Sequence, residues 1–101
     1  MDIYGIHYSV EAFTDLDSIF CYIAFEQAEP SIAKMIYEAI NCSIENLCTF
    51  PKRNPLMGCD NEKRSFNIKN YLVIYRVDDG NNTVTIVRIL GAKQDVQSKL
   101  C

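Results

Sequence analysis

Residues 64–90, RSFNIKNYLVIYRVDDGNNTVTIVRIL, are punctuated by two turn signals. Lys69-Asn70 places an asparagine where a two-residue hairpin turn needs a positive φ, and Asp78-Asp79-Gly80-Asn81-Asn82 is a longer polar turn. The residues around these signals alternate. In the first segment Arg64, Phe66 and Ile68 alternate with Ser65 and Asn67. In the second, Tyr71, Val73, Tyr75 and Val77 fall on one face and Leu72, Ile74 and Arg76 on the other. In the third, Val84, Ile86 and Arg88 oppose Thr85, Val87 and Ile89, with both faces largely apolar. A period of two between turn signals predicts three consecutive antiparallel strands, the last central in its sheet and covered on one side by helices.

The helices lie upstream. Ala12, Leu16, Ile19, Phe20 and Ile23 form one stripe after Ser9, a good N-cap, so a helix is predicted over 10–27. Pro30 suits the first turn of a second helix, and Ala33, Ile36, Ile40, Ile44 and Leu47 stripe it until Phe50-Pro51 stops it near 49. A break of only a few residues between two such helices forces an antiparallel hairpin. Residues 3–8, IYGIHY, are β-formers too short for a helix and predict a first strand. Residues 51–61, PKRNPLMGCDN, read as a surface loop. The expected fold is α+β, in the order β-α-α-β-β-β, with the helical hairpin on a small antiparallel sheet and a polar tail. Residues 1–101 form one expected domain, because no repeat, low-complexity tract or second core interrupts them.

Charge divides the chain. Residues 1–50 carry a net charge of −7 and residues 51–101 a net charge of +4, leaving −3 overall. Three of the four arginines lie in the strand region. Such asymmetry predicts one face that repels anions and another that attracts them, unless the halves neutralise each other. Five cysteines, Cys21, Cys42, Cys48, Cys59 and Cys101, match no zinc spacing or C-x-x-C pattern, so neither a metal site nor a disulfide framework is expected. Mostly buried, reduced thiols in a cytoplasmic protein are the expectation. The opening MDIYGIHYSVEAF lacks a positive n-region and a cleavage site, and no run approaches the ~20 apolar residues of a membrane span.

Candidates for chemistry are few. His7, the single histidine, sits inside the first strand, where an ordinary strand residue is the commoner case. No Gly-rich phosphate loop, H-E-x-x-H or nucleophile signature occurs, and turn chemistry accounts for Asp78-Asp79. The six tyrosines mostly follow core periodicity. Arg64, Lys69, Arg76, Arg88 and Lys93 remain, on or beside three adjacent strands. Guanidinium forks match phosphates and carboxylates bidentately, so the cluster points to nucleic-acid phosphates or an acidic peptide. Solvated arginines paired to acids such as Asp78 and Glu62 are the plain alternative, and Arg76, one strand inward, is the residue expected to pair in that way.

Several stretches together resemble the RelE/ParE superfamily of bacterial toxins from type II toxin–antitoxin modules. They are YSVEAFTDLDSIFCYIA, EPSIAKMIYEAINCSIENLCTFP and KRSFNIKNYLVIYRVDDGNNTVTIVRILGAKQD, within a match that runs from Tyr4 to Asp95. The sharpest elements are Ala12, Asp15 and Leu16 in the first helix, Leu47, Phe50 and Pro51 closing the second, Arg64, and NYLVIYRV at 70–77. The resemblance implies an αα-hairpin on a small antiparallel sheet, which matches the order derived above. It also implies two activities: RelE-like members cleave mRNA on the ribosome, and ParE-like members poison DNA gyrase. Aligned on Asn70-Tyr71, the central RelE arginine falls on Leu72, a second on Lys93, and the C-terminal tyrosine near Lys99. Arg64 and Lys93 are then the only catalytic candidates, with no base to accompany them. General acid–base help is worth ~10²–10⁴-fold in rate, so this set argues for the ParE-like branch.

The implied partners are a cognate antitoxin, gripped by Arg64, Lys69, Arg76, Arg88 and Lys93, and gyrase, in a homodimer or a toxin–antitoxin hetero-oligomer without a cofactor. An mRNA interferase acting with the ribosome, or a catalytically inactive antitoxin-binding module, remains the alternative.

Overall fold

The computed structural model describes residues 3–56 and 63–91. The chain runs β1 (Gly5–Tyr8), α1 (Val10–Cys21), α2 (Pro30–Glu45), β2 (Lys63–Ile68), β3 (Tyr71–Asp78) and β4 (Thr83–Gly91). The strands form one sheet in the order β1-β4-β3-β2. β4 is central, as its two apolar faces predict. β3 pairs antiparallel with both β2 and β4, but β1 lies parallel to β4 in the register Gly5↔Thr83 to Tyr8↔Ile86. The sheet is therefore mixed, because the whole helical hairpin crosses over between β1 and the later strands.

Both helices bury the predicted stripes. Ala12, Leu16, Ile40, Ile44 and Leu47 pack against Val73, Tyr75, Val84, Ile86 and Ile89 in the main core, with Ile19 and Ile36 half-buried beside it. Ile23, Ala24 and Ala33 form a smaller cluster towards the hairpin tip, and Phe20 meets Tyr37 edge-on at 5.9 Å between ring centroids. α1 does not stop at Cys21 but widens into a π-helical turn, Tyr22–Glu26. There the Gln27 amide donates to the Tyr22 carbonyl at 3.1 Å and the Glu29 amide to the Ile23 carbonyl at 3.0 Å. Ala28, between them, takes φ 53°. α2 tightens into a 3₁₀ turn, Asn46–Cys48, before Phe50-Pro51.

The β2–β3 turn is the tight hairpin that Asn70 foreshadows. Lys69 and Asn70 have φ values of 51° and 68°, so both central residues are left-handed. Ile68 pairs with Tyr71 across it. The β3–β4 turn is organised by Asp78, whose carboxylate accepts from the Gly80 amide, the Asn81 amide and the Asn81 Nδ2.

One irregularity changes the expected faces of β4. The β3–β4 register shifts between Ile74 and Tyr75, so that Ile74 pairs with Arg88 and Tyr75 with Ile86. Val87 is the extra residue of a β-bulge. Ile89 consequently joins the core instead of sharing a face with Thr85, as strict alternation had placed it. The cysteines depart from expectation as well. Cys21 and Cys42 are exposed and Cys48 is half-buried, because the larger aliphatic residues occupy the inward helix positions. Cys59 and Cys101 lie outside the described residues.

Candidate functional site

The predicted basic cluster is divided among three places. Arg64 and Arg76 share an open groove of about 580 Å³ with Lys52, Leu56, Val77, Asp78, Asp79 and Thr85. Arg64 is opposite Tyr75 and therefore on the helix side of β2. Its Nη1 donates to the Asn54 carbonyl at 2.7 Å. The same loop holds the fully buried Tyr75, whose hydroxyl donates to the Pro51 carbonyl at 2.7 Å and accepts from Asn54 Nδ2 at 3.1 Å. Burial pushes the Tyr75 phenol up, and Asn54 and Arg64 partly oppose that shift. Arg76 is exposed. It was expected to pair with Asp78, but that carboxylate is consumed by its own turn, and Glu62 lies outside the described residues.

Lys52 was missed by sequence reasoning. Its ammonium meets the Asp79 carboxylate at 2.6 Å, and the Tyr4 hydroxyl donates to the other Asp79 oxygen at 2.6 Å. These two hydrogen bonds, the Lys52 bond first, hold the Asp79 carboxyl below the usual carboxylate range. The clasp ties three segments far apart in sequence, and no local pattern announces it. Once Lys52 and Asp79 cancel, the groove keeps two guanidiniums with spare donors. It can hold a phosphate or a carboxylate. Proton transfer has little to draw on there, because both carboxylates of the groove are already engaged.

Arg88 stands elsewhere. Among the described residues, the edge of β4 beyond Tyr8 has no strand partner, and the start of α1 takes over. The Ser9 amide donates to the Ile86 carbonyl at 2.9 Å, and Ser9 Oγ donates to the Val87 carbonyl at 2.8 Å while accepting from the Ala12 amide at 3.0 Å. One turn later Asp15 accepts from Arg88 Nε at 2.7 Å, Arg88 Nη2 at 3.0 Å and the Ile89 amide at 3.0 Å. Those bonds to Asp15 raise the Arg88 guanidinium above its ordinary value. Arg88 is thus a clamp between α1 and β4. The same contact explains why an aspartate belongs at position 15.

Lys69 borders a second groove, of about 700 Å³, between the helical hairpin and the sheet. Ile19, Tyr22, Ile23, Ile32, Ile36, Tyr71 and Ile89 supply its apolar wall, and Asp15, Ser18, Gln27 and Asn70 its polar lip. Tyr22 and Ile32 keep 55% and 39% of their surfaces exposed, more than a closed core would leave. Burial, with Tyr22 second, raises the Tyr71 phenol in this wall. The π-helical turn supplies Tyr22 and Ile23, a feature without a sequence signature. Lys93 lies outside the described residues.

A helical hairpin on one face of a sheet ordered β1-β4-β3-β2 defines the fold of the RelE and ParE toxins. A chain from the chromosomal ParDE toxin–antitoxin system of P. aeruginosa shares it with a TM-score of 0.73, 17% identity, and coverage of 90% of this chain and 98% of that one. The free RelE toxin of E. coli, a mutant form, gives 0.69 at 13% identity over 96% and 92%. A chain of the RelBE2 toxin–antitoxin complex of Mycobacterium tuberculosis gives 0.64 at 24% identity over 92% and 97%. No curated protein matches the chain by sequence. Residues 6–96 match the family described as the ParE toxin of type II toxin–antitoxin system, parDE, and the chain belongs to that family.

Proposed function

We propose that this toxin acts on DNA gyrase and is silenced by an acidic antitoxin segment lying in the groove between the helical hairpin and the sheet. The observation that carries the gyrase reading is Leu72. It occupies the position where the resemblance puts the central arginine of the RNA-cutting branch, and its strand neighbour Ile74 is fully buried. An aliphatic side chain stabilises no phosphorane, and electrostatic stabilisation commonly contributes more than any other effect to such chemistry. For the antitoxin, the apolar wall offers pockets for bulky side chains. Lys69 and the Arg64–Arg76 groove offer cations on either side of β2. Similar structures from E. coli and Pyrococcus horikoshii are complexes of RelE with RelB, which supports a protein partner of this kind.

Induced expression of the chain alone tests the pair of claims. Filamentation with arrested growth is expected, because a gyrase poison blocks chromosome segregation. Co-expression of the protein encoded beside it is expected to restore growth, and to do so less well for Lys69→Glu. Growth arrest by an immediate halt in translation, without filaments, would move the chain to the ribosome-directed reading.

A further inference from the structure

The first helix carries two apolar stripes. Ala12, Leu16 and Ile19 form the inward one. Val10, Phe13 and Phe20 form another, at i, i+3 and i+10, about a third of a turn round the helix. A surface helix of a globular protein normally carries polar residues there. Val10 and Phe13 keep 79% and 66% of their surfaces exposed, and Phe20 is half-buried.

On α2, Tyr37, Asn41 and Glu45 follow at four-residue spacing along one side. Phe20 meets Tyr37 there, while Asn41 accepts from the Tyr8 hydroxyl and donates to Glu45 Oε1 at 3.4 Å. The two rows run antiparallel and make a seam along the hairpin. Asp15, Ser18 and Tyr22, which border the hairpin–sheet groove, lie on the opposite flank of α1, so seam and groove are separate surfaces.

We propose that this seam docks a segment of the target protein in which apolar side chains are flanked by lysines or arginines. The proposal rests on the gyrase reading and deepens it, by naming the face of the toxin that the target takes. Scattered surface apolar residues carry no such meaning, but a contiguous exposed row marks an interaction surface.

Charge identifies the occupant. Residues 10–45 hold seven acids against Lys34 alone. Asp17 within the α1 row, Glu45 at the end of the α2 row and Glu38 beside Tyr37 are all exposed. A second copy of the chain would bring the same carboxylates to the same place, because a two-fold interface sets a patch against itself. An acidic antitoxin segment would meet the same repulsion. A protein that handles DNA carries cationic surfaces for the phosphates, and such a surface meets the seam with opposite sign.

Gyrase cleavage trapping by the purified full chain, titrated with supercoiled plasmid in about 50 and 200 mM salt, tests the seam. Phe13→Gln is expected to raise the half-maximal concentration by roughly 10-fold, the scale of one lost aromatic anchor. Asp17→Lys is expected to raise it as well and to flatten its dependence on salt. Phe25→Gln, as exposed as Phe13 but at the hairpin tip and off the seam, is expected to trap like the parent. All three variants are expected to melt like the parent, because the positions are exposed. A parent that traps no cleavage overturns the gyrase reading and the docking surface with it. A parent that traps, with Phe13→Gln and Asp17→Lys trapping as well as it does, overturns the docking surface alone. So does a loss for Phe25→Gln equal to that for Phe13→Gln, or a parent that sediments as a dimer and is made monomeric by Phe13→Gln.

Discussion

Ala28 is a left-handed residue without the excuse of being glycine. Its φ of 53° follows the π-helical turn and lets the Glu29 amide reach the Ile23 carbonyl. A left-handed residue costs an L-amino acid roughly 1–2 kcal/mol, part of which glycine returns as chain entropy in the unfolded state. Ala28→Gly is therefore expected to stabilise the fold by about 0.5–1 kcal/mol, read as a rise of several degrees in melting temperature.

Tyr8 gives a pH-dependent counterpart. Burial, then Tyr37 and Glu45, push its phenol up to about 12, and its hydroxyl donates to Asn41 Oδ1 at 2.9 Å. A folded-state value above the unfolded one means stability fully present below pH ~10 and lost as pH rises towards 12. Tyr8→Phe is expected to lower stability near neutrality by about 1 kcal/mol and to flatten that alkaline loss in a pH series of denaturant melts. A parent curve already flat above pH 10 would contradict the assignment. Neither residue was legible in the sequence. Alanine gives no turn signal, and a tyrosine's partner 33 positions away depends on how the helix returns over the strand.

Among the elements, the helices were legible because each has one apolar stripe and only one way to bury it. The two hairpin turns were legible because Asn70 and the Asp78 turn carry their own backbone preferences. Two features were hidden. The bulge at Val87 has no local mark, since both faces of β4 are apolar and either register buries valine or isoleucine. The parallel entry of β1 depends on the crossover, not on any residue within IYGIHY. The junction of α1 with β4 is where this hidden geometry bears weight. Asp15 accepts three hydrogen bonds there, with 17% of its side chain exposed against 31% for Arg88. Asp15→Ala strands a half-buried guanidinium and an edge amide, for an expected cost of about 2–3 kcal/mol. Arg88→Met is expected to cost less, and the double variant less than the sum, in chemical melts of all three. Strictly additive losses would show that the clamp is not a unit. The candidate site was legible only as a list of cations. Which of them share a groove, and that Arg88 serves the fold, required the register and the clamp.

At the scale of the molecule, the division of charge becomes spatial. Exposed carboxylates stud the helical hairpin, while Arg64, Lys69 and Arg76 gather on the sheet and its margins. The same division orders the partner proposed: an acidic antitoxin towards the hairpin–sheet groove and the β2 cations. The central claim is that this toxin stalls gyrase and does not cut mRNA. It is tested most directly by adding the purified chain to gyrase with supercoiled plasmid, and in parallel to translating ribosomes with a labelled message, and measuring broken DNA and broken mRNA after detergent. The account predicts dose-dependent trapped cleavage of the plasmid and an intact message. Codon-spaced cuts in the message, with gyrase turning over normally, would contradict it.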